Sequence, residues 1–249
     1  MEKLKTAGIL TLLGAIMPLM VFSPVFAAGW IAIYNGYVTP SPIARQVLTT
    51  DGTDTYDIVK TGGGIDASAP ATNASSNLRE IYWPSATEES VDSQVCTVWS
   101  SESSAGVQQG LATRIVQTET STKAVTVTKN IFFGATWLFN VHTWDTSNLG
   151  AYNQVAYFDY SNVVGKIDET GNTLKPVPWK TCMRVTGQTL QFKLWVTGSE
   201  PSWSNPTYVR STTIPAEFVY PGRTGWYVGH IPPGGTSRID SLRILKYVQ

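Results

Sequence analysis

GATWLFNVHTWD, residues 134–145, alternates two kinds of side chain and reads as one long strand. Trp137, Phe139 and Val141 fall on one face, and Asn140, His142 and Trp144 on the other, because successive side chains of a strand point to opposite sides. The first face requires an apolar core. The second sets an amide, an imidazole and an indole side by side, groups that cost stability when buried unpaired and that suit a wet, ligand-facing surface.

Outward from this strand, the chain beyond Asp92 repeats the pattern. QVCTVWSS, GLATRIVQT, AVTVTKNIFF, TWLFNVHTWD, QVAYFDYSN, KTCMRVTG, TLQFKLWVTG, TTIPAEF, GWYVGHI and DSLRILKYV form a series of ten candidate strands separated by turn residues. No stretch shows apolar spacing at three, four and seven, so helices are few. With 21 Gly and 14 Pro as punctuation, the series predicts an all-β antiparallel sandwich or barrel. No repeat of fixed period is present, which argues against a propeller. In TLQFKLWV, Leu190, Phe192, Leu194 and Val196 share one face, and Gln191, Lys193 and Trp195 the other. Arg114 stands opposite the apolar side of GLATRIV, and Trp226, Val228 and His230 share a face of GWYVGHI. In compatible registers, Arg114, Asn140, His142, Trp144, Lys193 and Trp195, with Trp226 and His230, would form a single surface, whereas a slip of one residue would exchange the faces.

The earlier part of the chain is less regular. WIAIYNGYV predicts a first strand, and RQVLTT-DG-TDTYDIV predicts a hairpin turning at Asp51-Gly52. TGGGIDASAPATNASSN, rich in small and turn-forming residues, predicts an exposed loop. At the start, Lys3 and Lys5 precede an apolar run from Ala7 to Phe22, followed by Val25-Phe26-Ala27 in the small-x-small arrangement of a cleavage site. Residues 1–27 therefore read as a secretory signal peptide, and residues 28–249 as one sandwich, with strands and loops over 28–91 and the main body over 92–249. No later segment is apolar enough to span a membrane, so the mature chain is expected outside the cell or at its surface. Two cysteines in an exported chain, Cys96 and Cys182, predict one disulfide. Charged residues make up only 14% and the net charge is +0, which argues against a nucleic-acid partner needing a basic stripe.

From Trp179 onward, WKTCMRVTGQTLQFKLWVTGSEPSWSNPT, then PGRTGWYVG and RIDSLRILKY, resemble the concanavalin A-like lectin and glucanase superfamily, particularly its laminin-G-like secreted modules. The resemblance lies in the order of parts: an Arg-bearing strand before a Gly turn, Leu-x-Phe-Lys-x-Trp, a Glu-Pro-x-Trp loop, a Gly-bounded aromatic strand and a closing strand after Asp. It extends as layout over residues 92–248. It implies a jelly-roll sandwich whose concave sheet commonly holds carbohydrate, and on such a sheet the polar face read above from alternation offers Arg114, Asn140, His142, Trp144, Lys193 and Trp195 as candidate binding residues. Enzymes of the glucanase branch place two carboxylates in the cleft through a Glu-x-Asp strand. No Glu here is followed two residues later by Asp, so the expected role is binding without catalysis. Two other readings stand beside it: a glycosidase or lyase built around His142, Arg114 and Asp159, and an adhesive or structural surface protein. No cofactor is expected; calcium, held by some relatives, would draw on Asp145, Asp159 and Asp168, whose spacing forms no recognised loop.

Overall fold

The computed structural model describes residues 28–36, 41–50, 55–130, 137–147, 152–166 and 174–248. Numbered in chain order, the strands fall into two antiparallel sheets. The eight-stranded sheet contains β1 (Gly29–Asn35), β3 (Asp57–Thr61), β4 (Gly64–Ser68), β6 (Ser93–Glu102), β11 (Trp179–Thr186), β12 (Thr189–Trp195), β13 (Val209–Thr213) and β15 (Thr236–Val248). The seven-stranded sheet contains β2 (Ile43–Thr49), β5 (Arg79–Pro84), β7 (Gln108–Gln117), β8 (Thr122–Lys129), β9 (Leu138–Asp145), β10 (Tyr152–Asp159) and β14 (Arg223–Gly229). The first runs β13-β12-β11-β6-β15-β4-β3, with β1 also on β15; the second runs β10-β9-β8-β7-β14-β5-β2.

The core lies between the sheets and is built from the apolar faces legible in the sequence. Phe139 and Val141 of β9, Leu190, Phe192 and Leu194 of β12, and Val95 and Trp99 of β6 are all buried there. Trp99 is its centre, stacked on Phe139 at 5.8 Å and close to Trp179 and Phe192. Each ring of this size buries 150–250 Å² or so, which makes the aromatic cluster the largest single apolar contribution to holding the sheets together. Trp226, expected on the polar surface, also points inward and stacks on Tyr82 at 5.2 Å. β14 carries a bulge between Arg223 and Gly225, and beyond it plain alternation turns Trp226 and Val228 to the core and Tyr227 outward.

Each of the ten strands predicted beyond Asp92 contains an observed strand, with TTIPAEF divided between β13 and a 3-10 turn at Ala216–Phe218 and the Ser161-Asn162 end of QVAYFDYSN in a short helix; residues 131–136, the end of AVTVTKNIFF and the start of GATWLFNVHTWD, lie outside the described residues. The hairpin expected from RQVLTT to TDTYDIV does not form. β2 pairs with β5 in one sheet and β3 with β4 in the other, so the chain crosses between layers. The hairpin is instead β3–β4, where Thr61 pairs with Gly64 across Gly62-Gly63, and Gly62 has φ +57°. Part of the predicted exposed loop is thus a strand, β4, which pairs with β15. Residues 1–27, Asp51-Gly52 and Asp168 lie outside the described residues. Among the described residues, no helix is long and apolar enough to cross a membrane.

Candidate functional site

The polar face of β9 opens into a cavity of about 760 Å³ on the outer side of the seven-stranded sheet. Alternation brings Asn140, His142 and Trp144 to its wall, and register supplies the neighbours: Gln154 of β10 opposite His142, and Tyr157 opposite Asn140. On the other flank β5 contributes Arg79, β7 contributes Gln108, and β14 leads through Tyr227 to His230. His230 has φ +56°, a turn out of the strand that breaks the alternation expected with Trp226 and Val228. Gly110 sits beneath this surface because a Cβ there would come within 2.7 Å of Thr128 Cγ2 and Val127 O.

The side chains form a connected set. His142 lies 4.7 Å from Tyr152 and 5.7 Å, edge-on, from Trp144; Trp144 in turn contacts Tyr152 at 5.2 Å and Tyr227 at 6.3 Å. Trp144 is only 1% exposed, and its Nε1–H donates to Thr126 Oγ1 at 2.9 Å. It is a wall of the cavity rather than an open platform. Tyr152 and Tyr157 are the exposed rings, at 46% and 55%. Asn130 donates to Asn140 Oδ1 at 3.0 Å, and the Tyr227 hydroxyl donates to Gln108 Oε1.

Arg79 sets the electrostatics. Its guanidinium lies 5.7 Å from the Tyr152 ring centroid, and Nε donates to His230 Nε2 at 2.9 Å. An accepting Nε2 places the imidazole proton on Nδ1 and leaves the ring uncharged. Burial, reinforced by the charge of Arg79, holds both His142 and His230 at a pKa of about 4, against small opposing effects of Gln154 and the Ser76 main chain. Among the described residues, Arg79 is thus the one charged side chain lining the cavity at neutral pH, and no carboxylate pairs with it.

The other predicted site residues lie elsewhere. Arg114 is fully buried at the end of the sandwich with φ +51°, and it donates to main-chain oxygens of Val91, Phe218 and Gly187. It ties three connections together and has no access to the cavity; burial lowers its pKa. Lys193 and Trp195 point outward as expected, but from β12, which belongs to the eight-stranded sheet. A common surface for all six residues would need β9 and β12 in one sheet. They are in opposite layers, so only Asn140, His142 and Trp144 come together. Asp145 and Asp159 end opposite ends of the β9–β10 ladder, roughly 20 Å apart at about 3.3 Å per residue, too far to share an ion. Asp145 and Asp159 instead accept hydrogen bonds from Ser147 and Ser161. Cys96 and Cys182 are disulfide-bonded and directly opposite each other in the β6–β11 pairing.

Arg79, Gln108, Tyr152, Tyr157 and Tyr227 escaped the reading of the sequence. The available signal was REIYWP, whose alternation puts Arg79, Ile81 and Trp83 on the outer face and Tyr82 in the core.

No protein-family model matches this sequence, and no curated protein matches it. Solved structures do match. The laminarinase from Rhodothermus marinus superposes with a TM-score of 0.53 at 10% identity, covering 90% of this chain and 100% of that one. The catalytic domain of an endo-1,3-beta-glucanase (laminarinase) from Thermotoga petrophila gives 0.52 at 9%, with 90% and 100% covered. A protein of unknown function with a galectin-like fold from Bacillus subtilis gives 0.50 at 8%, with 90% and 99% covered. At such identities the likeness is one of fold. The fold is the concanavalin A-like jelly roll.

Proposed function

We propose that this chain is a secreted glycan-binding protein whose cavity on the seven-stranded sheet takes an acidic polysaccharide, one carrying carboxylates on its sugar rings. A carbohydrate-related role accords with the fold. The observation that carries the finer reading is the charge of the cavity: among the described residues Arg79 has no carboxylate partner, and it stands beside two uncharged imidazoles. A uronate carboxylate would meet the free edge of the guanidinium in a charge-assisted, bidentate geometry. Tyr152 and Tyr157 offer ring faces, and Asn77, Asn140 and Gln154 offer amides to hydroxyl groups. Export follows from the residues before Ala28; the exported protein should begin near that position on N-terminal sequencing.

One observation favours a second reading, a lyase acting on the same ligand. With no Asp or Glu lining the cavity among the described residues, the paired-carboxylate chemistry of glycoside hydrolysis lacks its groups. β-Elimination needs none. A cation neutralises the uronate carboxylate, neutral His142 takes the C5 proton, the C5–H electrons form the C4=C5 double bond, and the departing O4 takes a proton from the enzyme. The test is retention of the protein on immobilised polygalacturonate and on laminarin, with the supernatant read for reducing ends and for unsaturated uronate. Retention on polygalacturonate alone supports the binding reading, and unsaturated product selects the lyase. Retention on laminarin alone overturns the acidic-ligand reading.

A further inference from the structure

The outer face of the eight-stranded sheet carries features that the cavity around Arg79 does not use. Along it runs an alternation of cations and rings. Lys193 Nζ lies 5.6 Å from the Trp195 centroid and 4.2 Å from that of Trp203; the Arg184 guanidinium lies 4.3 Å from Trp203 and 4.7 Å from Trp30. These contacts hold the long side chains in fixed positions before any ligand arrives. Beside this ladder a recess of about 250 Å³ is lined by Lys180, Trp195, Arg243, Glu200 and the disulfide.

Charge in this cluster is unbalanced. Among the described residues, the ion pairs of Lys180, Arg184, Lys193 and Arg243 involve one carboxylate, Glu200, which pairs with Lys193 at 2.8 Å and Arg243 at 3.4 Å. On a chain of net charge +0, this is a local excess of positive charge. Lys193 is buried and donates to Glu200 and Pro201 O, and Arg184 donates twice to Gln94 Oε1, so the donors left for a ligand are those of Lys180 and Arg243. Among the described residues Arg243 engages Glu200 and Cys96 Sγ, both through Nη2, and Lys180 Nζ donates to Gly198 O at 3.1 Å. Trp195 is 6% exposed, and its indole N–H is buried with no acceptor. A buried orphan donor costs free energy, and Trp195 forms part of the recess wall beside the Lys180 and Arg243 donors and the Glu200 carboxylate.

We infer that this recess is a second binding site, independent of the one around Arg79, and that it receives the sulfate groups of a sulfated polysaccharide. Tetrahedral oxyanions match a site made of cationic and N–H donors. A chain bearing several such groups matches cations spread along one sheet face. The site is on the opposite sheet from Arg79, so the same molecule could hold two different strands of polymer.

The experiment is calorimetric titration of the mature protein with dextran sulfate and with unsubstituted dextran, at low and moderate salt, with sodium sulfate as competitor. Dextran sulfate should bind and dextran should not. Lys180→Gln combined with Arg243→Gln should weaken binding by at least roughly 10-fold, as expected for loss of charge-assisted bonds. The charge-matched control Lys123→Gln with Lys166→Gln should change it less than about 2-fold, within what screened surface charges contribute. Competition by sodium sulfate alone would identify the single oxyanion as the recognised unit, and its failure would assign recognition to the polymer. Equal loss in the control pair would overturn the proposal by showing diffuse attraction. Loss confined to Arg79→Gln would overturn it by moving the sulfate to the other cavity, whereas Arg79→Gln leaving dextran sulfate unaffected supports it whatever becomes of the uronate reading.

Discussion

Trp144→Ala separates a structural wall from a ligand platform. The indole is 1% exposed, contacts His142, Tyr152 and Tyr227, and satisfies Thr126 through its N–H. Removing a buried tryptophan costs about 3–5 kcal/mol, and Thr126 would lose its donor as well. For a chain of this size each kcal/mol shifts the midpoint by about 2–4 °C, so the melting temperature should fall by roughly 6–20 °C. The assay is thermal and urea unfolding followed by circular dichroism, with Trp144→Phe alongside. Phenylalanine keeps much of the ring contact and loses the hydrogen bond, so it should cost only about 1–2 kcal/mol. A midpoint within about 3 °C of wild type for the alanine variant, together with lost glycan affinity, would refute the reasoning and return Trp144 to the open face.

Stability should fall with acid in a defined window. Unfolded His142 takes a proton below about pH 6.5, whereas the folded residue resists until about 4, so the stabilisation from keeping it neutral is present above 6.5 and lost as pH falls toward 4. That amounts to about 3 kcal/mol for His142 alone, and His142→Gln should flatten the pH dependence of urea midpoints by that much. Arg114→Met should destabilise by at least about 3 kcal/mol because main-chain oxygens of Val91, Phe218 and Gly187 lose their donor; an unchanged midpoint would show that water replaces it. Cys96→Ala with Cys182→Ala frees a loop closed across 86 residues, costing ~4.6 kcal/mol in the chain-entropy model, while polygalacturonate is still bound at temperatures where the variant stays folded.

The fold was legible because alternation is a local property. Phe139 and Val141 against Asn140 and His142, or Leu190 and Phe192 against Lys193, need only the strand period to be sorted. Which strands share a sheet is not local, and there the reading diverged. Lys193 and His142 each face outward, yet from opposite layers, because β12 and β9 stand in different sheets. A bulge defeated the pattern between Thr113 and Val116, beside the buried Arg114, whereas Trp226 and Val228 keep the shared face the sequence showed and that face is the core side. The Asp51-Gly52 signal suggested a hairpin, but pairing of β2 with β5 and β3 with β4 outweighed it, since long-range ladders bury more than one turn contributes. Arg79 lies in a strand whose apolar run concealed its polar start.

The most direct test of the acidic-glycan cavity is calorimetric titration of wild type and Arg79→Gln with an oligogalacturonate, with melting curves to confirm that both are folded. The account predicts saturable binding to the wild type and a loss of roughly 10- to 100-fold in the variant at an unchanged midpoint, the effect of removing one charge-assisted contact. Equal affinities for the two proteins, or tighter binding of a neutral β-1,3-glucan by either, would contradict it.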